Sequence, residues 1–283
     1  MFNKPRIPAA FAMISARRVV VTGIGMVTPL GVGAGSTFNS LLDGKSGVGK
    51  IDRYLDEADP RKKAYAGLAS RVAAQVPRGS GAGAFDPAWF SSPECRVMSL
   101  AMKFGLIAAD EAVEDAGWKG SALEERQRMR TGVSVGMAIP DLEYIAECDE
   151  LVASGRSKRM GPYFVPRILP NLAPGHISIA HGFRGPNNSV STACATGSHA
   201  VGDGYRFIQA GSADVMVCGG TDACVCPLAV AGFVRARALS TKHVLSHTFS
   251  RKTRRTKNCE IVAGTTTLPS APRGPSTRTA TAS

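Results

Sequence analysis

Ser191-Thr192-Ala193-Cys194-Ala195-Thr196-Gly197 sets a cysteine among small residues where a strand-like stretch gives way to a helical one. Such a turn presents a thiol on a tight elbow. At the start of a helix, unsatisfied N–H groups and the macrodipole favour thiolate over thiol. Small neighbours would let a thioester carbonyl approach, and a backbone N–H beside Cys194 could hold one side of an oxyanion. A buried structural cysteine would produce the same spacing, and the stretch alone does not separate the two.

Outward from this turn, short β-branched or small-residue runs alternate with helical stretches, which predicts an α/β fold. Asn188 to Ala193 (NSVSTA), Thr131 to Met137 (TGVSVGM) and Asp214 to Gly219 (DVMVCG) read as strands. Arg18-Val19-Val20-Val21-Thr22 reads as a buried strand turning at Gly23-Ile24-Gly25. Residues 96–117 carry Val97, Leu100, Ala101, Phe104, Ile107, Ala108 and Ala112 on one apolar face, with Gly117 as the helix stop. The Ala- and Gly-rich 195–211 predicts a helix tight enough to be buried.

At 283 residues and 44% hydrophobic content the chain can fill one large domain or two modest ones. Arg, Asp, Gly and Pro interrupt every apolar run before the roughly 20 residues a membrane-spanning helix needs. The net charge of +12 is concentrated at the ends. Residues 1–18 hold Lys4, Arg6, Arg17 and Arg18 without an acid, and 242–283 hold eight basic residues against Glu260. Between them, 22 basic residues face 21 acidic ones, which is no footprint for a nucleic-acid backbone. The 1–18 segment fits either an organelle transit peptide or a frayed terminus. From Lys242 on, Lys, Arg, Thr, Ser and Pro dominate without a sustained period, which predicts a disordered tail over 242–283.

Seven cysteines, an odd number without a regular framework, point to a reducing compartment. Cys218, Cys224 and Cys226 sit in and after an apolar run and read as buried hydrophobes rather than metal ligands. The GIGMVTPLG turn after Thr22 lacks dinucleotide-binding spacing, so no nucleotide cofactor is expected there.

STACATGSHAVGDGYRFI, from Ser191 on, resembles the nucleophile segment of β-ketoacyl-[acyl-carrier-protein] synthases of the mitochondrial and bacterial type. RRVVVTGIGMVTPLG is similar to that family's opening strand and turn, and GPYFVPRILPNLAPGHISI and RGPNNSVSTACATG to the segments leading into the nucleophile. GSADVMVCGGTDACVCPLAVAGFVRARALST is similar to the family's segment after the nucleophile helix. These motifs run in family order over about 17–241, so 19–241 is identified as the family's N-terminal domain, with no match for 242–283.

The resemblance implies a thiolase-like layered fold, here its N-terminal half with an incomplete C-terminal half. It implies a homodimer paired across the strand before the nucleophile. It implies that Cys194 takes an acyl group from acyl carrier protein, with malonyl carrier as the second substrate, in decarboxylative condensation. Ile139 matches a position where the family narrows its acyl tunnel, and Phe164 lies in the adjoining YFVP segment. Both also read as ordinary core residues. Mitochondrial location is implied, with the cytoplasm as the alternative, and neither a metal nor a cofactor is expected. The family's second half, which carries two catalytic histidines and a GFGG loop, has no counterpart in these 283 residues. His243 and His247 match no motif, and His176, His181 and His199 read as structural. The expected function is therefore a condensing acyltransferase of impaired activity. An inactive dimer partner or a thiolase-like acyltransferase is the alternative.

Overall fold

The strands of this chain carry few charges and many small residues, and most of them pair into one mixed sheet with helices on both faces, beside a separate two-stranded sheet of Val48–Lys50 and Val72–Ala74. The computed structural model describes residues 17–241 and the backbone of 263–269. In chain order the elements are β1 (Gly23–Thr28), β2 (Gly31–Val32), α1 (Ala34–Leu42), β3 (Val48–Lys50), α2 (Pro60–Ala66), β4 (Val72–Ala74), α3 (Ser92–Val97), α4 (Leu100–Asp115) and α5 (Glu125–Met129). Then come β5 (Thr131–Gly136), α6 (Leu142–Ala153), α7 (Phe164–Ile168), α8 (Leu172–His181), β6 (Asn187–Asn188), α9 (Thr196–Gln209), β7 (Val215–Gly220), α10 (Pro227–Arg235) and β8 (Ala263–Pro269).

The main sheet has the order β2-β1-β8-β7-β5-β6. β5 runs parallel to β6 and β7, whereas β8 runs antiparallel to both β7 and β1. Thus β1, β5, β6 and β7 all point the same way, and the loops that leave their C-terminal ends gather along one edge of the sheet.

The pleat sorts the core into two layers because successive side chains on a strand point to opposite faces. Val133 and Val135 of β5 and Val217 of β7 bury against Met102 and Val113 of α4 and Ile177 of α8. On the other face Met216 and Cys218 pack under Ile208 of α9. β1 reaches α4 more closely than side chains would permit. A Cβ on Gly25 would stand 1.9 Å from the Ala108 carbonyl oxygen, and one on Gly23 would stand 2.1 Å from that of Ala112.

That close approach explains the first departure from the sequence expectation. The opening strand lies at Gly23–Thr28 rather than over 18–22, because the glycines, not the preceding valines, are what the helix backbone can touch. Val21 is left exposed. The helix expected over 96–117 is two helices. Met98 adopts an extended backbone between α3 and α4, and the Ser99 side chain restarts the helix by accepting from the Met102 N–H at 3.3 Å. Gly117 does follow the helix end with φ 63.

Of the strand expected over Asn188–Ala193, β6 keeps Asn188 alone and pairs it with Asn187; the rest leaves the sheet to build the turn. α9 buries one face, with Ala200, Gly204 and Ile208, and exposes His199, Tyr205 and Arg206 on the other; it is not buried throughout. The disordered reading of 242–283 is corrected for seven residues. Ala263–Pro269 forms β8 and fills the space between β1 and β7. Its AGTTTLP run is uncharged and holds three consecutive β-branched threonines, a local preference that averaging over a basic segment conceals. The remainder of that segment and residues 1–16 lie outside the described residues.

The contact between β1 and α4 gives a direct test. Gly25→Ala forces a methyl into the helix backbone and is expected to destabilise the protein by about 3 kcal/mol or more, the upper end for overpacked sites. Gly35→Ala, in an exposed helical position with nothing within 4 Å of the added methyl, is expected to be neutral or to stabilise by about 0.5–1 kcal/mol. Urea denaturation of both variants checks the contrast.

Candidate active site

The gathered edge of the sheet places the loops after β5, β6 and β7 side by side, the arrangement in which open α/β sheets bind ligands. The loop after β6 carries Cys194. A single 3-10 turn, Ala193–Ala195, runs directly into α9, and Cys194 is exposed upon it. Ala193 has φ 52, a left-handed conformation uncommon for a residue with a β-carbon. Below the turn Thr196 is buried, and its hydroxyl accepts from the Thr192 N–H at 2.8 Å while donating to the Ala193 carbonyl at 2.7 Å. The Thr192 hydroxyl is bonded to His199 Nδ1 at 2.8 Å.

Three glycines seat this elbow on the sheet. A Cβ on Gly136, the last residue of β5, would stand 2.2 Å from Thr196 Cγ2 and 2.2 Å from the Val190 carbonyl oxygen. A Cβ on Gly220, at the end of β7, would stand 2.9 Å from the Gly197 Cα, and Gly197 itself has only that backbone opposite it. The start of α9 therefore lies against two strand ends at backbone distance.

Ile139 is half-buried in the loop after β5, the strand whose last residue, Gly136, packs against Thr196. Its N–H donates to Asp222 Oδ1 at 3.0 Å, and the Ala138 N–H donates to Asp222 Oδ2 at 3.3 Å. Asp222, on the loop after β7, thus ties two of the three loops together. Burial pushes its carboxyl above the ordinary carboxylate range, while the two amide hydrogen bonds oppose that shift. Phe164 lies on a different element. It opens α7, half-buried, with its ring 5.9 Å from that of Tyr144 on α6. Arg167 holds α7 to α6, with its Nε 3.0 Å from Asp141 and its guanidinium 4.1 Å from the centre of the Tyr144 ring.

Asp222 and Thr196 are the residues that sequence reasoning passed over. Asp222 had a visible signal: an acid straight after an apolar strand, in GGTDA, has to be paired if it is buried. Thr196 had none beyond membership of the turn. Among the other cysteines Cys148, Cys218 and Cys226 are buried, and burial pushes the Cys218 and Cys226 thiols up. His181 Nε2 lies 2.9 Å from an Asp110 carboxylate oxygen and its ring stacks on Phe183, and burial of His176 lowers its pKa. His243 and His247 lie outside the described residues. Among the described residues no group of three or more His, Cys, Asp or Glu side chains is placed to hold a metal ion, and no helix is long and apolar enough to cross a membrane.

A mixed sheet with helices on both faces and a thiol at the mouth of its parallel strands defines the class of thiolase-like α/β proteins. Residues 16–254 match the family described as Beta-ketoacyl synthase, N-terminal domain, and the chain belongs to that family. The match runs on past Thr241. The chain is 47% identical over 234 residues to the mitochondrial 3-oxoacyl-[acyl-carrier-protein] synthase of Arabidopsis thaliana, covering 81% of this chain and 50% of that one. It is 41% identical over 229 residues to 3-oxoacyl-[acyl-carrier-protein] synthase 2 of Rhizobium meliloti, covering 80% and 52%. Among solved structures it is similar to the ishigamide ketosynthase/chain length factor, with a TM-score of 0.69, 29% identity, and 90% of this chain and 59% of that one covered. The chain spans about half the length of the curated relatives it matches.

Two measurements probe the geometry of this edge. Brief iodoacetamide treatment followed by peptide mapping should label Cys194 ahead of the half-buried Cys95 and Cys224 and leave Cys148, Cys218 and Cys226 unlabelled. Faster labelling of Cys95 would count against an accessible elbow. Asp222→Ala leaves the Ala138 and Ile139 amides without their acceptor and is expected to cost about 1–3 kcal/mol in denaturant unfolding. The folded carboxyl titrates above its unfolded value, so ionisation of Asp222 lowers stability as pH rises past the ordinary carboxylate range. Asp222→Asn, which cannot ionise, should therefore lose less stability than the wild type as pH rises above the ordinary carboxylate range.

Proposed function

We propose that this chain supplies the acyl-accepting centre of a β-ketoacyl-[acyl-carrier-protein] synthase of fatty-acid synthesis, with Cys194 as its nucleophile. One observation carries the reading: the exposed thiol of Cys194 stands where a 3-10 turn enters α9, at the ligand-binding edge of the sheet, in a chain that matches this family. In the first step the Cys194 sulfur attacks the thioester carbonyl of an acyl carrier. A new S–C bond forms, the carrier's C–S bond breaks, and the carrier sulfur leaves with the proton that Cys194 gave up. A backbone N–H beside Cys194 is proposed to hold the developing oxyanion. In the second step a malonyl carrier loses CO2, its carbanion attacks the acyl carbonyl, and the Cys194–acyl bond breaks to release the β-ketoacyl carrier.

Ile139 and Phe164 are proposed to line the path of the acyl chain. Ile139 is supported by its place on the loop after β5, the strand whose end packs against Thr196, and Phe164 by the link from α7 through Asp141 to the same loop. Acyl carrier protein, in acyl and malonyl forms, is the proposed partner. A homodimer across β6 is supported by the position of that strand at the end of the sheet, where an unpaired edge invites pairing. The Arg-bearing segment 1–18 and the mitochondrial relative support a mitochondrial location.

Incubating the purified chain with an octanoyl-carrier thioester should add the octanoyl mass to Cys194, and Cys194→Ala should abolish the adduct. An unmodified wild type whose Cys194 still alkylates would exclude acyl transfer and leave a non-enzymatic role.

A further inference from the structure

The geometry points to Thr196 as a positioning residue for the Cys194 thiol: we propose that its single buried hydroxyl fixes the turn so that the sulfur meets an acyl carbonyl in line. This rests on the reading of Cys194 as acyl acceptor. Ala193, directly before the cysteine, occupies the left-handed region at φ 52, which costs a residue with a β-carbon on the order of 1 kcal/mol. A strained residue persists only where its surroundings over-determine it. Here the Thr196 hydroxyl brackets it, accepting from the residue before (Thr192 N–H, 2.8 Å) and donating to the strained residue's own carbonyl (2.7 Å). A hydroxyl can do both at once; a methyl can do neither.

Thr196 is itself fixed. It is 3% exposed, and its methyl occupies the space left by the missing side chain of Gly136. The brace is thereby referred to the end of β5, a rigid element, rather than to another loop. The groups it holds, on Thr192 and Ala193, belong to exposed residues. Because that turn lies at the surface, the loss is expected to fall on its geometry more than on the stability of the fold. Nucleophilic attack on a thioester tolerates little misplacement, with about 1 Å costing on the order of 100-fold. Alkylation by iodoacetamide has no oxyanion to align and is far less demanding.

The test uses the full chain with octanoyl carrier. Thr196→Val keeps the shape and removes the hydroxyl. It is expected to slow acylation of Cys194 about 10- to 100-fold at saturating carrier. The carrier concentration giving half-maximal rate, the alkylation rate and the melting temperature should stay near wild type. Thr196→Ser, which restores the hydroxyl, should recover most of the acylation rate. Wild-type acylation by Thr196→Val, or a Thr196→Ser variant as slow as Thr196→Val, would overturn the proposal. Should Thr196→Val fold poorly, Ala193→Gly loosens the same turn without disturbing the buried hydroxyl and is expected to slow acylation severalfold. An unchanged rate there would equally overturn it. A wild type that alkylates at Cys194 but never acylates would instead remove the acyl-acceptor reading, and the role of Thr196 with it.

Discussion

The approach of one backbone to another at Gly136, Gly197 and Gly220 is the constraint on which the rest of this edge depends. With no side chains in the way, the start of α9 settles directly on the ends of β5 and β7, so that a Cβ on Gly220 would stand 2.9 Å from the Gly197 Cα. A helix held at that distance cannot tilt, and its first turn inherits the rigidity of the sheet. The same economy of space recurs where β1 meets α4 at Gly23 and Gly25, and where Gly204 of α9 lies over Cys218 of β7. The sheet is thus gripped on both faces through glycines, and the larger side chains of the core fill the remaining volume.

That seating sets the character of the loops. Loops are ordinarily the mobile part of a fold, yet here each is tied back. The turn after β6 is bonded through Thr196, and the loops after β5 and β7 share the Asp222 carboxylate. Burying Asp222 is unfavourable to its charge, and the two amide hydrogen bonds offset part of that cost. This half-buried acid fixes the backbone position at Ile139 through its hydrogen bond to that residue's N–H.

Much of this was legible in the sequence. The Cys194 turn stood out as a cysteine among small residues between a strand and a helix, although that spacing suited a buried structural cysteine equally well, and the resemblance of the surrounding motifs decided between them. β5 and β7 announced themselves by alternation. What escaped was either long-range or averaged away. Nothing near Gly136 reveals that its partner is Thr196, sixty residues on, and the valines before Gly23 advertise a strand more loudly than the glycines that form one. An apolar period that continued through Met98 and Ser99 hid the break between α3 and α4, although Ser99 is a good cap. β8 vanished into the charge of the segment around it.

β8 also bears on how the sheet is completed. β1 and β7 run in the same direction, and each offers a free edge to the gap between them; a parallel strand there would need a long crossover, whereas an antiparallel one can come from a chain arriving at the opposite end. Ala263–Pro269 is antiparallel to both, in register from Gly23↔Thr267 on one side and Val217↔Thr267 on the other. Pairing on two edges satisfies backbone groups on β1 and β7 that would otherwise face the interior beneath α4 unpaired, at a cost of about 1–3 kcal/mol for each such group. The drive to fill that gap is therefore a property of the strands on either side, and it places few demands on the sequence that fills it beyond an uncharged, β-branched run. That is why a segment with no motif in common with the rest of the chain supplies the central strand of the sheet on which the Cys194 elbow is built.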